Sequence, residues 1–247
     1  SLIAYCPGAH YHWMTDILQR LYQILPLLPK ETKFLVPHNF NHVFYDSLKA
    51  LGISSPDKIV ICKHDERLEL GKLLWSPPAT YSGMDLPEAL EWVSNNITSW
   101  SLKQKQKLST NTYSKKIYIS RQDSDKRQLI NEHELCIFLH SEGFKICTLS
   151  NLALADQVNL FQVAEIIIAP HGAGLVNLMF TNKGSYVLEL FGSNVPRGGT
   201  CYWSISCCRG LNYYYLTGQS ETSTSEDSNF TISVEKVKEW IRNIAIN

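Results

Sequence analysis

The sequence predicts an α/β protein built on parallel sheets. Short apolar runs rich in β-branched residues alternate along the chain with segments whose apolar residues recur at helical spacing. The strand-like runs are apolar at nearly every position, as expected of strands covered by helices on both faces. One of these runs, 166–169, leads directly into a glycine-rich turn and a further apolar segment. That order of strand, turn and helix is typical of anion-binding sites.

The first half of the chain contains three predicted helices and two predicted strands. Trp13, Ile17, Leu21 and Ile24 mark the first helix, which Pro26 ends. The other elements are strands at 33–36 and 58–62, a helix at 43–51 before Gly52, and a polar helix at 86–107. The polar segment that follows, 109–114, is interpreted as a linker, and a domain boundary is therefore placed after residue 112.

The second half alternates more regularly. Its predicted strands cover 116–120, 144–148, 166–169, 186–190 and 212–216. Its predicted helices cover 131–141, 155–163 and 175–180, followed by a closing amphipathic helix marked by Val234, Val237, Ile241 and Ile244. The two halves, 1–112 and 113–247, predict two Rossmann-like domains that face each other across a cleft. Ligands of such sheets bind at the carboxyl ends of the strands.

The composition argues against several kinds of partner. The 23 basic and 23 acidic residues give a formal net charge of zero, which does not favour nucleic acid. No apolar run is long enough to span a membrane, and no signal-peptide pattern occurs. The seven cysteines form an odd set without a CxxC pair, which favours reduced thiols and a cytoplasmic or membrane-associated location. A lumenal enzyme is the alternative if the chain is a domain excised from a longer protein.

The turn at 171–174 is the most informative segment of the chain. His171, Gly172, Ala173 and Gly174 connect the strand to the apolar segment, and we expect both glycines to adopt positive φ and to admit a ligand close to the backbone. The N–H groups and the dipole of the following helix would face a phosphate, above all a diphosphate. His171 and Asn177 would add side-chain donors at the rim. A tight turn without a ligand is the alternative.

Two arginines follow the strand at 116–120. Arg121 and Arg127 lie six residues apart, and together they could hold a phosphate through bidentate hydrogen bonds. The alternative is that they are solvated or form ion pairs with the neighbouring acids Asp123, Asp125 and Glu132.

Three further side chains complete the candidate site. Glu189 ends the strand at 186–190, where a carboxylate could accept hydrogen bonds from a ribose, although a buried carboxylate paired with an arginine is the alternative. His12 and Asp16 are four residues apart and share a helix face, and a histidine oriented by a carboxylate is a workable general base. His10 and His12 do not suggest a metal site, because no third ligand lies at a suitable spacing.

Taken together, these motifs resemble glycosyltransferase family 61. The resemblance rests on HWMTDILQRL, YISRQDSDKRQLINEHEL, SEGF and LFQVAEIIIAPHGAGLVNLMF, followed by YVLEL, in the order and spacing of the family over 11–190. Val176 stands where the family often has threonine.

The resemblance implies an inverting glycosyltransferase of the GT-B type. Its donor would be a nucleotide sugar, commonly a UDP-sugar, and its acceptor a hydroxyl of a glycan or glycoconjugate. The diphosphate would lie at the 171–174 turn near Arg121 and Arg127, Asp16 or His12 would be the base, and no metal cofactor is expected. The chain is short for two complete domains, which leaves open an incomplete N-terminal domain. Without a secretion signal, a bacterial enzyme of surface polysaccharide synthesis is favoured.

Other functions were weighed against this one. The HGAG sequence also resembles the oxyanion turn of lipase-like hydrolases, but that fold needs a GxSxG elbow, which the sequence lacks. The segment from Asp123 to Asp125 resembles the metal-binding DxD motif of a different transferase architecture, and it is interpreted as coincidental. A non-catalytic nucleotide- or glycan-binding domain of the same fold remains the alternative function.

Overall fold

The computed structural model describes residues 1–3, 9–63, 65–79, 83–104, 113–194, 199–222 and 225–244. Within these ranges helices and parallel strands alternate, which confirms the predicted α/β class. The α-helices are α1 His10–His12, α2 Leu18–Ile24, α3 His42–Ala50, α4 Pro87–Lys103, α5 Glu132–Ser141, α6 Leu154–Val163, α7 Cys201–Arg209 and α8 Val234–Ile244. A π-helical turn, Trp13–Ile17, joins α1 to α2. The 3₁₀ turns are Leu25–Leu27, Pro56–Lys58 and Ala173–Phe180.

The strands form three sheets. They are β1 Phe34–Pro37, β2 Ile59–Cys62, β3 Lys116–Ile119, β4 Lys145–Cys147, β5 Ile166–Pro170, β6 Tyr186–Phe191, β7 Asn212–Thr217, β8 Gln219–Ser220 and β9 Phe230–Thr231. The largest sheet has five parallel strands in the order β4-β3-β5-β6-β7. Strands β1 and β2 form a small parallel sheet, and β8 pairs with β9 in antiparallel orientation.

The order of the five strands fixes the place where a ligand would bind. The chain moves outward from β3 to β4 and then returns past β3 to form β5, so the direction of strand addition reverses between β3 and β5. At such a switch point the loops after the two strands diverge to opposite faces and leave a crevice at their carboxyl ends. The segments that follow β3 and β5 are those that contain Arg121 and His171.

Alternate residues of the central strands enter two apolar cores. Ile117, Ile119 and Ile167 face one core, while Tyr118 and Ile168 face the other, which α5 and α8 cover. Because side chains in a strand alternate between faces, apolar residues at every position require helices on both sides of the sheet. The strand composition therefore accounts for the layered arrangement.

The larger core draws on both halves of the chain. It includes residues of α2, α3 and α4 together with residues of β5, α6 and the 3₁₀ turn Ala173–Phe180. The hydroxyl of Ser94 in α4 donates a buried hydrogen bond of 2.7 Å to the carbonyl of Met179 in that turn. The predicted boundary after residue 112 falls in the segment 105–112, which lies outside the described residues. The division into two domains therefore stays a prediction.

Several predicted elements differ from those observed. The apolar segment after the glycine turn is 3₁₀-helical over Ala173–Phe180. Helix α7 was not predicted, because its serines and cysteines obscure the apolar periodicity. The helix end predicted before Gly52 is confirmed, and Gly52 and Gly143, which follow α3 and α5, have positive φ of 85° and 82°. Among the described residues, no helix is long and apolar enough to cross a membrane.

We expect the continuous core to make the chain unfold in one cooperative step. Leu90 in α4 is fully buried, so Leu90→Ala should lower the free energy of unfolding by about 2–5 kcal/mol. The same change at Leu102, which is 71% exposed on the same helix, should have an effect within about 0.5 kcal/mol. Urea unfolding followed by fluorescence and by far-UV circular dichroism tests both points. Two separate transitions would contradict a larger core that both halves of the chain share.

Candidate active site

Gly172 and Arg121 meet at the switch point between β3 and β5. Gly172 has φ of 172°, which is extended backbone, and Gly174 is not among the glycines with left-handed φ. The expectation of left-handed glycines is therefore wrong at both positions. Glycine is required at these positions because a side chain would have too little space. A Cβ atom on Gly172 would lie 1.7 Å from Nη1 of Arg121, and one on Gly174 would lie 2.9 Å from Cδ1 of Leu149. Glycine at 172 therefore lets the guanidinium rest against the turn.

Two hydrogen bonds hold one nitrogen of the Arg121 guanidinium, and another nitrogen has no partner in the described structure. Its Nη2 donates to the hydroxyl of Ser124 at 2.7 Å and to the carbonyl of Lys126 at 3.0 Å. Its Nε is buried and has no hydrogen-bond partner in the described structure. Burial lowers the pKa of Arg121, and the nearby charge of Arg127 lowers it further. A cation partly stripped of water beside a second cation is well placed to attract an anion.

Arg127 already has an acidic partner. Its Nη1 contacts Oδ1 of Asp227 at 2.7 Å, and Lys126 contacts the other oxygen of that carboxylate at 2.6 Å. The paired alternative from the sequence is thus observed, but with an acid 100 residues away and not with the neighbouring ones. Arg127 is also the one non-glycine residue among those described with positive φ, at 54°. Its contact with a phosphate stays a prediction.

His171 and Glu189 form a buried pair. The imidazole Nδ1 lies 2.5 Å from Oε1 of Glu189, and the hydroxyl of Tyr213 donates to Oε2 at 2.5 Å. Glu189 has no exposed surface. Burial raises the pKa of Glu189, and the hydrogen bond from His171 opposes part of that rise. The carboxylate is buried as the alternative from the sequence expected, but its partners are His171 and Tyr213 and not an arginine. Its contact with a ribose stays a prediction.

Asn177 lies beneath the turn and not at its rim. The side chain is fully buried, and its Nδ2 donates to Oε1 of Gln157 and to the carbonyl of Gly174, both at 3.0 Å. These bonds tie the turn to α6. Asn177 therefore shapes the site from inside, and its direct contact with a ligand stays a prediction.

A cavity of about 460 Å³ opens beside the turn. It is lined from the second half by Arg121, Ala173 and Gly174, and from the first half by His10 and residues at the start of α3. The ring of His10 stacks on Phe44 at 6.3 Å, and its buried Nε2 has no hydrogen-bond partner among the described residues. Burial lowers the pKa of His10 to about 4. Sequence reasoning considered His10 only as a metal ligand and missed this position.

His12 and Asp16 form the expected pair. Nδ1 of His12 lies 2.6 Å from Oδ2 of Asp16, and both side chains are about one quarter exposed, at 27% and 21%. Asp16 belongs to the π-helical turn, a form that is frequent at functional sites. The rings of Tyr11 and Tyr202 lie in series between this pair and His171, with successive centroids 5.2 to 5.6 Å apart.

A buried carboxylate near this pair was not predicted. Asp85 accepts a hydrogen bond of 2.7 Å from Gln19, and its Oδ2 has no partner in the described structure. Burial raises the pKa of Asp85, opposed by hydrogen bonds from Gln19 and Ser204 and increased by the charge of Asp16. No spacing pattern in the sequence links Asp85 to Asp16, because the contact depends on tertiary packing.

No metal centre is evident in the described part of the chain. There, no group of three or more His, Cys, Asp or Glu side chains could hold an ion. Asp123, the first acid of the DxD-like segment, accepts a hydrogen bond of 2.6 Å from Ser150.

Comparison with known proteins identifies the family. The model of the glycosyltransferase 61 family matches residues 10–188, which is more than half of the chain. The chain therefore belongs to this family, as the sequence motifs had indicated. The match includes every candidate residue from His12 to Asn177, and Glu189 lies one residue beyond it.

Individual relatives cover smaller parts. The chain is 35% identical over 101 residues to protein O-linked-mannose β-1,4-N-acetylglucosaminyltransferase 2 of Xenopus tropicalis, covering 39% of this chain and 18% of that protein. It is 28% identical over 109 residues to the EGF domain-specific O-linked N-acetylglucosamine transferase of Rattus norvegicus, covering 42% and 20%. It is 30% identical over 99 residues to the EGF domain-specific O-linked N-acetylglucosamine transferase of Drosophila melanogaster, covering 39% of this chain and 18% of that protein. The chain thus spans about a fifth of the length of the curated relatives it matches.

The buried His10 should make the fold sensitive to acid. Because its pKa is lower in the folded state, at about 4, than the ordinary 6.5, the unfolded chain binds more protons between these values. Stability should therefore fall as the pH drops from 6.5 to 4, by about 3 kcal/mol from this residue. His10→Phe, which keeps an aromatic ring on Phe44, should remove that part of the decline.

Urea unfolding at several pH values measures this effect. The control is the same change at His133, which is exposed on α5. An equal pH dependence in wild type and His10→Phe would contradict the buried, neutral imidazole.

Proposed function

We propose that this chain forms the donor-binding and catalytic part of a glycosyltransferase. The enzyme transfers a sugar from a nucleotide sugar to a hydroxyl group of a glycan or a glycosylated protein, with inversion at the anomeric carbon. The observation that carries the proposal is the contact between the Arg121 guanidinium and Gly172 at the switch point of the parallel sheet. Membership of the glycosyltransferase 61 family supports it.

The donor diphosphate is assigned to the 171–174 turn. The guanidinium of Arg121 rests against Gly172 of this turn, and the Ala173–Phe180 helix begins at the next residue. Departure of the sugar leaves negative charge on the diphosphate. Fixed donors that face this charge lower the barrier because they need no reorganisation during the reaction. A guanidinium can also fill the role of a metal ion here, so we propose transfer without a metal cofactor.

The nucleoside is assigned to the adjoining cavity. Its volume of about 460 Å³ suits part of a nucleotide, and Arg121 and Gly174 at its wall connect it to the diphosphate position. Two groups of relatives are named for the transfer of N-acetylglucosamine. We therefore assign UDP-N-acetylglucosamine as the first donor to test, within the broader class of UDP-sugars.

The general base is assigned to the pair of His12 and Asp16. Inverting transfer needs a group that takes the proton of the attacking hydroxyl, on the side of the sugar opposite the diphosphate. The two side chains share a short hydrogen bond and are partly exposed. The rings of Tyr11 and Tyr202 connect His12 to His171 through successive contacts, so the assigned base and the assigned diphosphate position belong to one packed region.

The proposed architecture is two Rossmann-like domains, 1–112 and 113–247, with the donor between them. The cavity supports this arrangement, since its lining combines His10 and the start of α3 with the ends of β3 and β5. In the first half, β1 and β2 are parallel, and the N–H of Leu2 donates to the carbonyl of Leu35 in β1.

The relatives favour an acceptor attached to protein. Their names specify O-linked mannose and EGF domains. EGF domains are disulfide-rich modules of secreted proteins. We therefore favour the lumenal alternative over a cytoplasmic enzyme of bacterial polysaccharide synthesis. The free state of the six described cysteines does not oppose this, since four of them have a pKa raised by burial.

The donor site predicts binding of UDP in the presence of EDTA. Arg121→Ala should raise the Kd for UDP roughly 10- to 150-fold, the loss expected for a charge-assisted hydrogen bond. Gly172→Ala should act in the same direction, because its Cβ would displace the guanidinium. Arg242→Ala, at a 69% exposed side chain on α8, is the control and should leave the Kd unchanged. Titration calorimetry measures all four proteins, and equal affinities would return Arg121 to the role of a surface residue.

The base assignment predicts a loss of turnover without a loss of donor binding. Asp16→Asn and His12→Gln should each lower kcat by about 10²- to 10⁴-fold and leave the Kd for UDP within twofold. Release of UDP from UDP-N-acetylglucosamine is measured with an O-mannosyl peptide or an EGF domain as acceptor. Unchanged turnover in both variants would refute the assignment. Donor binding without any turnover in the wild type would instead support the non-catalytic alternative.

A further inference from the structure

Glu189 lies where it cannot reach a ligand directly. It has no exposed surface, and each of its carboxylate oxygens accepts a hydrogen bond from inside the protein. Oε1 is paired with Nδ1 of His171 and Oε2 with the hydroxyl of Tyr213, both at 2.5 Å. The direct effect of this carboxylate is therefore on His171.

Tyr213 reaches Glu189 from the neighbouring strand. In the parallel pairing of β6 with β7, Tyr213 lies opposite Val187 and Tyr215 lies opposite Glu189. Tyr213 and Glu189 are thus diagonal neighbours on the same face of the sheet, close enough for a long side chain to bridge. The edge strand in this way supplies a donor to a carboxylate that would otherwise keep one buried oxygen unsatisfied.

The imidazole of His171 is fixed in orientation as well as in position. Its ring stacks on Phe191 with centroids 5.0 Å apart, and Tyr202 packs against it at 5.2 Å. With Nδ1 committed to Glu189, Nε2 is the nitrogen left to contact a ligand. The side chain is 11% exposed, and no partner for Nε2 occurs among the described residues. His171 directly precedes Gly172, against which Arg121 rests.

We propose that Glu189 and Tyr213 are positioning residues that hold His171 with Nε2 directed at the donor diphosphate. The inference rests on the proposed function, because it takes the diphosphate at the 171–174 turn as given. A carboxylate on Nδ1 orients the ring and makes Nε2 the contacting nitrogen, as in other histidines that are fixed by a second partner. In the imidazolium form Nδ1–H donates to Glu189 and Nε2–H donates to a phosphate oxygen, and this second hydrogen bond strengthens as charge develops on the departing diphosphate.

The test compares the binding of UDP, which has the diphosphate, with that of uridine, which lacks it. Glu189→Gln and Tyr213→Phe are expected to raise the Kd for UDP about tenfold or more, while the Kd for uridine stays within about twofold. Tyr214→Phe is the matched control, since it removes the same hydroxyl one residue along, on the opposite face of β7. Titration calorimetry gives the affinity for UDP, and ligand-detected NMR gives that for uridine.

Each outcome of this comparison has one meaning. If the variants weaken UDP and uridine equally, or leave UDP unchanged, the positioning role is overturned. If wild type binds UDP no better than uridine, the proposed diphosphate site itself has failed, which is a separate result.

A second measurement tests the proposal even if Glu189→Gln or Tyr213→Phe does not fold. The ¹⁵N spectrum of histidine-labelled wild type is recorded with and without UDP, and His171→Asn identifies the His171 signals. We expect UDP to shift the Nε2 resonance of His171 while Nδ1 keeps its bonded proton. An unchanged Nε2 resonance at saturating UDP would overturn the proposal.

Discussion

The close approach of the Arg121 guanidinium to the backbone of Gly172 is the contact on which the site depends. It joins the loops after β3 and β5, and these strands are neighbours only because the strand order reverses between them. Any side chain at position 172 would occupy the space of Nη1. Asn177 holds the turn through its hydrogen bond to the carbonyl of Gly174, and His171, which directly precedes Gly172, is paired with Glu189.

A feature shared by these side chains is that buried polar groups hold one another in fixed positions. Glu189 is tied to His171 and Tyr213, and Asn177 is tied to Gln157. A buried polar group is costly unless it is paired, and the two donors to Glu189 hold that carboxylate in one position. For a transferase this rigidity has a direct use, because donors that are already in place stabilise the leaving group without reorganisation. His12 and Asp16, the proposed base pair, differ in being partly open to solvent.

The sequence was sufficient to predict the parallel sheet and the family, while the position of the site stays a prediction. The apolar strands required helices on both faces, and the order of the motifs indicated the glycosyltransferase 61 family, which the family match confirms. What could not be predicted depends on contacts between distant segments. Arg127 forms its ion pair with Asp227, which is distant in the sequence. Glu189 accepts a hydrogen bond from Tyr213, which lies in an edge strand whose pairing no local pattern determines. The glycines were predicted for the wrong reason, since only the folded chain reveals that Arg121 occupies the space beside Gly172.

The central claim is that the crevice between β3 and β5 holds the diphosphate of a nucleotide-sugar donor. A crystal structure of the chain with bound UDP tests this most directly. We expect both phosphates between the Arg121 guanidinium and the 171–174 turn, Nε2 of His171 within hydrogen-bond distance of a phosphate oxygen, and the uridine in the cavity lined by His10. Phosphates bound elsewhere, for example in the groove lined by Leu21, Leu28 and Leu73, would contradict it.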